Sequence, residues 1–187
     1  MKQANEKAHA NAIMAASVAR AVGQIEEANA TGVYTAECYD KDGNLKWRDT
    51  YKNLVVTQGK NDALDKYLSG ATYTAAWYLG LISSVGYSNI VAGDTAASHA
   101  GWTESSAYAA ANRPTVSFAA AASGSKTTSA AVSFAINAAG TIKGSFLISN
   151  NTKGGTTGIL YSAGLFTGGD KVVDNGDTLN VTYTASL

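Results

Sequence analysis

Apolar and polar side chains alternate with a period of two along much of residues 131–187. The pattern is strict in residues 178–184, where Leu179, Val181 and Tyr183 alternate with threonine and asparagine. A period of two is typical of β-strands with one buried face, because successive side chains point to opposite sides of a sheet. The last third of the chain therefore predicts several strands around a shared core.

Further alternating stretches extend this set of strands. They cover residues 132–136 and 142–148, and residues 159–166 predict another strand without a strict alternation. In the second stretch the period predicts that Ile142, Phe146 and Ile148 share the buried face. The same period predicts that Lys143 and Ser145 point away from that face. The predicted core consists of Phe134, Ile142, Phe146, Leu179, Val181 and Tyr183.

Residues 33–39 and 45–51 predict a β-hairpin connected by residues 40–44. The carboxylates and the glycine of this connection loosely match the start of a calcium loop. A calcium loop needs a bidentate glutamate at its twelfth position, which here is Tyr51. A turn with Gly43 at positive φ is therefore the favoured interpretation.

Residues 58–68 predict a short internal helix. Thr57 is a suitable N-cap and Gly70 a suitable helix end. The predicted buried side of this helix is formed by Ala63, Leu64, Tyr67 and Leu68. Residues 77–82 are an almost continuous apolar run, which predicts a central strand covered on both faces.

The remaining stretches of the chain are irregular in pattern. Residues 83–113 form a long segment without periodicity, and residues 119–128 and 168–177 are predicted turns. About eight strands with these turns predict a mainly β fold, an antiparallel β-sandwich or jelly roll, over residues 31–187.

The first residues of the chain have a helical period instead. Residues 4–28 are rich in alanine and other good helix formers, and residues 1–30 are predicted to be a separate helical arm. Its larger apolar residues follow a 4-3-4 spacing and form a narrow stripe on one helix face. The stripe consists of Met14, Val18, Ala21 and Ile25. Because so thin a stripe does not fold alone, it must lie on a partner surface, pack against copies of itself or remain partly disordered.

Composition narrows the class of partner. The chain has 14 basic residues (lysine and arginine) and 14 acidic residues (aspartate and glutamate). It therefore lacks the excess of basic residues that is typical of nucleic-acid-binding proteins. No apolar run approaches the length of a membrane span. The first segment is too weakly apolar for a signal peptide, which predicts synthesis in a cytoplasm.

The single cysteine, Cys38, is expected to be a small buried apolar residue and cannot form an intrachain disulfide.

One group of residues in the long irregular segment has chemical potential. Asp94, His99 and Glu104, beside Trp102, could form a base with its orienting acid or a metal site. Their spacing matches no established triad or zinc pattern. The favoured interpretation is that these polar residues hold the loop in place, and the sequence predicts no enzyme, no cofactor and no metal.

Several short motifs resemble those of small structural proteins of tailed bacteriophages. They are spread over residues 33–187 and comprise residues 42–47, 53–55, 77–82, 101–104, 112–113, 140–142, 160–162 and 176–179, with Gly59 and Tyr108. The resemblance implies a capsid decoration or cement protein, with no catalytic residues to carry over.

The same resemblance implies a location and partners. It implies a protein on the outer capsid surface of the virion that binds the major capsid protein, stabilises contacts between capsid subunits and forms homo-oligomers, often trimers. Because such a protein must attach to the particle, we expect the stripe of Met14, Val18, Ala21 and Ile25 to bind the capsid or a neighbouring copy. The charge balance and the lack of a long apolar run predict no nucleic acid and no membrane as partner. An alternative is a tail or fibre component that binds a host receptor or sugar, for which Trp47, Trp77 and Trp102 could provide stacking surfaces.

Overall fold

The computed structural model describes residues 29–73 and 76–187. Within these ranges the chain forms ten strands and one helix. In chain order they are β1 (Thr31–Tyr39), β2 (Leu45–Val55), α1 (Thr57–Leu68), β3 (Trp77–Ser83), β4 (Thr115–Val116), β5 (Ser125–Thr127), β6 (Val132–Ala135), β7 (Gly140–Ile148), β8 (Leu160–Leu165), β9 (Lys171–Val173) and β10 (Thr178–Ser186). The predicted arm stripe of Met14, Val18, Ala21 and Ile25 lies outside the described residues.

All strand pairs in the described part are antiparallel, in the order β4-β3-β7-β8-β2-β1-β10-β5. Two further strands, β6 and β9, pair with β10 and β7. β2 joins the two halves of this sheet, since its first residues pair with β1 and its last three residues pair with β8. The sheet curls on itself, and the prediction of a mainly β, antiparallel fold is confirmed.

The six predicted core residues are all buried, with at most 1% of each side chain exposed. Five of them belong to one inner core that is enclosed by the curled sheet, together with Tyr34, Cys38 and Leu81. The sixth, Phe146, belongs to a second cluster with Ile82, Trp102 and Leu160. We refer to the first as the inner core and to the second as the outer cluster.

The prediction for the faces of β7 is wrong. Ile142 lies in the inner core, whereas Phe146 and Ile148 lie in the outer cluster. The pairing with β3 skips Lys143, and this β-bulge moves the following side chains to the opposite face. Ser145 is consequently buried and accepts a hydrogen bond of 2.8 Å from the hydroxyl of Tyr51.

The prediction that β3 is covered on both faces is confirmed. Leu79 and Leu81 pack in the inner core and Ile82 packs in the outer cluster. The outer cover comes from the long irregular segment, residues 84–114, whose Trp102 ring lies 5.0 Å from the ring of Phe146. This segment therefore acts as a second layer over the sheet.

The predicted buried side of the internal helix is wrong. Ala63, Leu64, Tyr67 and Leu68 are all exposed, and Gly59 is the buried residue of α1. The helix docks by its first turn, because Gly59 lies so close to the backbone of Tyr161 that a Cβ atom would not fit. Gln58 adds to this contact by accepting hydrogen bonds from the backbone of Ala96 and Leu160.

The two ends of α1 differ in how well the sequence predicted them. The residue before the helix is Val56, which cannot cap, and Thr57 is already the first helical residue. At the other end Gly70 has a φ of +65°, as expected of a residue that ends a helix.

Two short strands lie in segments that were predicted as turns. β5 pairs with the end of β10, and β9 pairs with the start of β7. Each has three residues, too few for a period of two to be recognised. The described chain therefore has ten strands where about eight were predicted.

Candidate functional site

We refer to residues 84–114, which cover the outer face of the sheet, as the covering segment. A buried ion pair between Glu104 and Arg113 fixes it in place. Arg113 donates from Nε to Glu104 Oε1 at 3.0 Å and from Nη2 to Oε2 at 2.9 Å. Glu104 bridges to Ile82 on β3, and Arg113 precedes β4, so the pair spans the edge of the sheet. The side chains are 3% and 6% exposed for Arg113 and Glu104.

Both side chains of the ion pair also form hydrogen bonds with other groups. Glu104 also accepts hydrogen bonds from the Tyr108 hydroxyl at 3.1 Å and from the Gly154 backbone N–H at 2.5 Å. Arg113 also donates to the carbonyl oxygens of Asn150 and Gly155, and its guanidinium lies 5.3 Å from the Phe146 ring centre. A buried pair needs such additional partners to offset its desolvation.

The other predicted polar residues converge on Trp102. Asp94 Oδ2 accepts a hydrogen bond of 2.9 Å from the indole N–H. His99 stacks on the indole ring at 4.0 Å, and its Nδ1 lies 3.0 Å from the Trp102 carbonyl oxygen. Since a carbonyl only accepts, Nδ1 carries the proton. Asp94 therefore positions Trp102 and forms no hydrogen bond with His99. In a catalytic pair an acid would orient the histidine through Nδ1, but here Nδ1 donates to a backbone carbonyl.

His99, Glu104 and Arg113 also line one cavity of about 240 Å³, together with Thr156. This volume is smaller than the several hundred Å³ of typical ligand sites. No group of three side chains in the described residues is arranged to hold a metal ion. The contacts of these residues fit the interpretation that they hold the covering segment on the sheet.

A second polar cluster, which the sequence did not reveal, surrounds Asp177. Its Oδ2 accepts from Lys46 Nζ at 2.5 Å and from the Asp174 backbone N–H at 2.8 Å. Burial alone would raise the pKa of Asp177, but these hydrogen bonds outweigh it and hold the pKa below its usual value. The thiol of Cys38 lies 3.6 Å from the same carboxylate. Burial is the main cause, and this negative charge the second, of a rise in the pKa of Cys38 to about 12. The thiol therefore stays protonated.

The hairpin connection is a turn, as favoured from the sequence. Asp40 Oδ1 accepts hydrogen bonds from the backbone N–H groups of Asp42 and Asn44 at 2.9 and 2.8 Å. Gly43 has a φ of +84°. The carboxylate that would open a calcium loop is thus engaged within the turn itself.

A concave apolar groove of about 610 Å³ lies beside α1. We call it the α1 groove. Its walls are formed by Ala63 and Leu64 of α1, by Tyr161, and by Ala185 and Leu187 at the end of the chain. Sequence reasoning missed this groove, because it assigned Ala63 and Leu64 to the buried side of the helix.

The apolar surface continues beyond the groove. A smaller pocket shares Tyr161 and Ala185 with it and adds Trp77 and Phe118. One helical turn beyond Leu64, Tyr67 and Leu68 are 88% and 71% exposed. Monomeric proteins rarely expose adjoining apolar side chains of this size without a partner for them.

No protein-family model matches the chain, and no curated protein matches it. Among the described residues, no helix has both the length and the apolar character that crossing a membrane requires. The surface geometry and the motif resemblance are therefore the basis for a functional proposal.

Proposed function

We propose that the protein is a structural protein of a tailed bacteriophage, a decoration or cement protein that binds the outer capsid and stabilises contacts between capsid subunits. The observation that carries this proposal is the uncovered apolar side of α1. Among the described residues, this helix of 12 residues buries only Gly59. Tyr67 and Leu68 at its end are left exposed, as expected of side chains that contact another protein surface.

The exposed side chains have the character of a protein contact. Leu64, Tyr67 and Leu68 follow one another along the helix and are 55%, 88% and 71% exposed, and Tyr73 beyond the helix is 75% exposed. Tyrosine and large aliphatic side chains are common anchors at interfaces because they bury much area at low entropic cost. The partner in this proposal is the major capsid protein.

The rest of the domain supplies a rigid base for such a contact. The curled antiparallel sheet, the inner core and the buried Glu104–Arg113 pair hold both layers in one arrangement. We interpret this architecture as a jelly roll or β-sandwich, and we propose a homotrimer on the capsid surface. Many symmetric copies would give strong overall attachment from modest individual contacts. The predicted arm stripe of Met14, Val18, Ala21 and Ile25 is a second candidate contact.

The alternative of a receptor-binding or sugar-binding tail component has less support. Stacking on a sugar needs an exposed aromatic face, and Trp102 is buried under the covering segment. Trp47 and Trp77 are half-buried and pack against the inner core. The exposed aromatic side chains that remain in the described part are Tyr67 on α1 and Tyr73, which lines an apolar pocket with Trp77 and Tyr161. Both fit a protein contact equally well.

The proposal is tested by adding purified protein to particles of the encoding bacteriophage from which its gene has been deleted. Wild-type protein is expected to restore full occupancy and to raise the temperature at which the capsid releases its DNA. Leu68→Glu places a charge in the proposed contact and should reduce occupancy strongly. Leu45→Glu changes another exposed leucine, on β2, and should decorate like wild type.

Two results would contradict the proposal. One is that wild-type protein fails to bind gene-deleted particles under conditions in which it is folded. The other is that Leu68→Glu binds as well as Leu45→Glu, which would mean that α1 is not the contact surface.

A further inference from the structure

We propose that the α1 groove is the docking site of the chain's own residues 1–28. The inference goes beyond the proposed function, because it concerns the free protein and holds with or without a capsid. It accounts for the α1 groove, an apolar surface that the described residues leave uncovered.

The position at which the described chain begins is the first argument. Asn29 and Ala30 line the α1 groove, so the undescribed residues 1–28 are bonded directly to a residue of its wall. Ile25 is four residues from Asn29 and therefore within about 14 Å even in a fully extended chain. If helical, the stripe from Met14 to Ile25 would be about 17 Å long. The segment can thus enter the groove directly.

Complementary apolar surfaces are the second argument. The groove is lined by Ala63, Leu64, Tyr161 and Ala185, and its volume of about 610 Å³ lies within the usual range of binding sites. The stripe of residues 14–25 is too narrow to fold alone, whereas α1 has an apolar side without a cover. Each surface supplies the partner that the other lacks.

Charge complementarity is the third argument. Lys60 and Lys126 line the groove, and no acidic side chain is among its described lining residues. Lys60 forms no ion pair within the described part of the chain, and Lys126 donates to the carbonyl oxygen of Ala119 at 2.8 Å. Glu26 and Glu27 stand three and two residues before Asn29, which lines the groove, so two carboxylates would meet two ammonium groups.

The same chain is favoured over a second copy as the source of the segment. A short connection gives an effective concentration in the millimolar range, well above the concentration of a second copy in a dilute solution. Tyr67 and Leu68 do not line the groove and would remain available to another partner. If the stripe also contacts the capsid, the groove and the capsid compete for it.

The first test is carbodiimide cross-linking of the full-length protein, which joins carboxylates to amines in contact. An equal mixture of ¹⁴N- and ¹⁵N-labelled protein separates links within one chain from links between chains by mass. We expect links from Glu26 or Glu27 to Lys60 or Lys126 within one chain. Absence of these links would overturn the proposal, and so would links of which about half join a ¹⁴N to a ¹⁵N chain, the share that random pairing between chains gives.

The second test is the rate of trypsin cleavage after Arg20. The wild-type chain should be cleaved at least about tenfold more slowly than the isolated peptide of residues 1–28, because docking removes Arg20 from the protease. Leu64→Glu should raise the rate about tenfold by placing a charge in the groove, with the circular dichroism unchanged. Leu45→Glu is the matched control, since Leu45 and Leu64 are each 55% exposed and only Leu64 lines the groove.

Equal rates for the wild-type chain and the isolated peptide, or equal rates for the two variants, would contradict docking. This result is independent of particle binding. A protein whose segment docks can still fail to decorate capsids, and a protein whose segment does not dock can still decorate them, so the two proposals fail separately.

Discussion

Replacing Arg113 with methionine removes the guanidinium of the buried ion pair and keeps an apolar side chain of similar length. Arg113 donates to both oxygens of Glu104 and to the carbonyls of Asn150 and Gly155. In the variant the Glu104 carboxylate, 6% exposed, keeps only two donors, from Tyr108 and Gly154. A buried charge is thus left without its counterion.

The expected loss follows from these contacts. Removing one partner of a buried, hydrogen-bonded pair costs about 3–5 kcal/mol. Since two donors remain on Glu104, we expect Arg113→Met to lower the free energy of unfolding by about 4 kcal/mol. The variant that also carries Glu104→Gln removes both charges. It should therefore lose about 2 kcal/mol less than the sum of the two single variants.

Urea unfolding followed by tryptophan fluorescence measures these differences. The denaturation midpoint should move while the slope stays constant, which marks a change in stability rather than in the exposed area. A loss below about 1 kcal/mol for Arg113→Met, or strictly additive losses, would show that the pair is not buried and coupled as described.

Three further predictions use the same unfolding assay. Phe146→Ala should cost about 3–5 kcal/mol, because its ring is buried in the outer cluster, and a loss below about 0.5 kcal/mol would contradict that burial. Gly59→Ala should destabilise despite a gain of about 1 kcal/mol in helix propensity, since the methyl group meets the backbone of Tyr161; a stabilised variant would refute this contact. The depressed pKa of Asp177 stabilises the fold above the unfolded-state pKa, about 3.9, and this contribution is lost as pH falls through the folded-state value. Asp177→Asn should therefore be less stable than wild type at pH 7 and approach it in acid, whereas a constant difference would contradict the linkage.

The sequence predicted best where one face of a strand is buried and the period is uninterrupted. Leu179, Val181 and Tyr183 on β10 lie in the inner core as expected. The same reasoning failed for β7, because a bulge at Lys143 shifts the period by one residue. Nothing in the alternation of residues 142–148 marks that shift, which depends on the pairing with β3.

Long-range contacts explain the other differences. The sequence singled out Asp94, His99 and Glu104, but their partners depend on how the covering segment folds over the sheet. Arg113, the counterion of Glu104, is nine residues away and has no spacing signal of its own. The α1 groove was missed because a helical period shows which side of a helix is apolar and does not show what covers that side.

The location and number of copies on the intact particle test the proposed decoration function most directly. Cryo-electron microscopy of the bacteriophage that would, on this proposal, encode the protein measures both, with an antibody fragment bound to residues 31–187. The proposal predicts label over the whole outer surface of the head, at regular positions between capsid subunits and in many copies. Label confined to the tail, or particles that carry none of the protein, would contradict it.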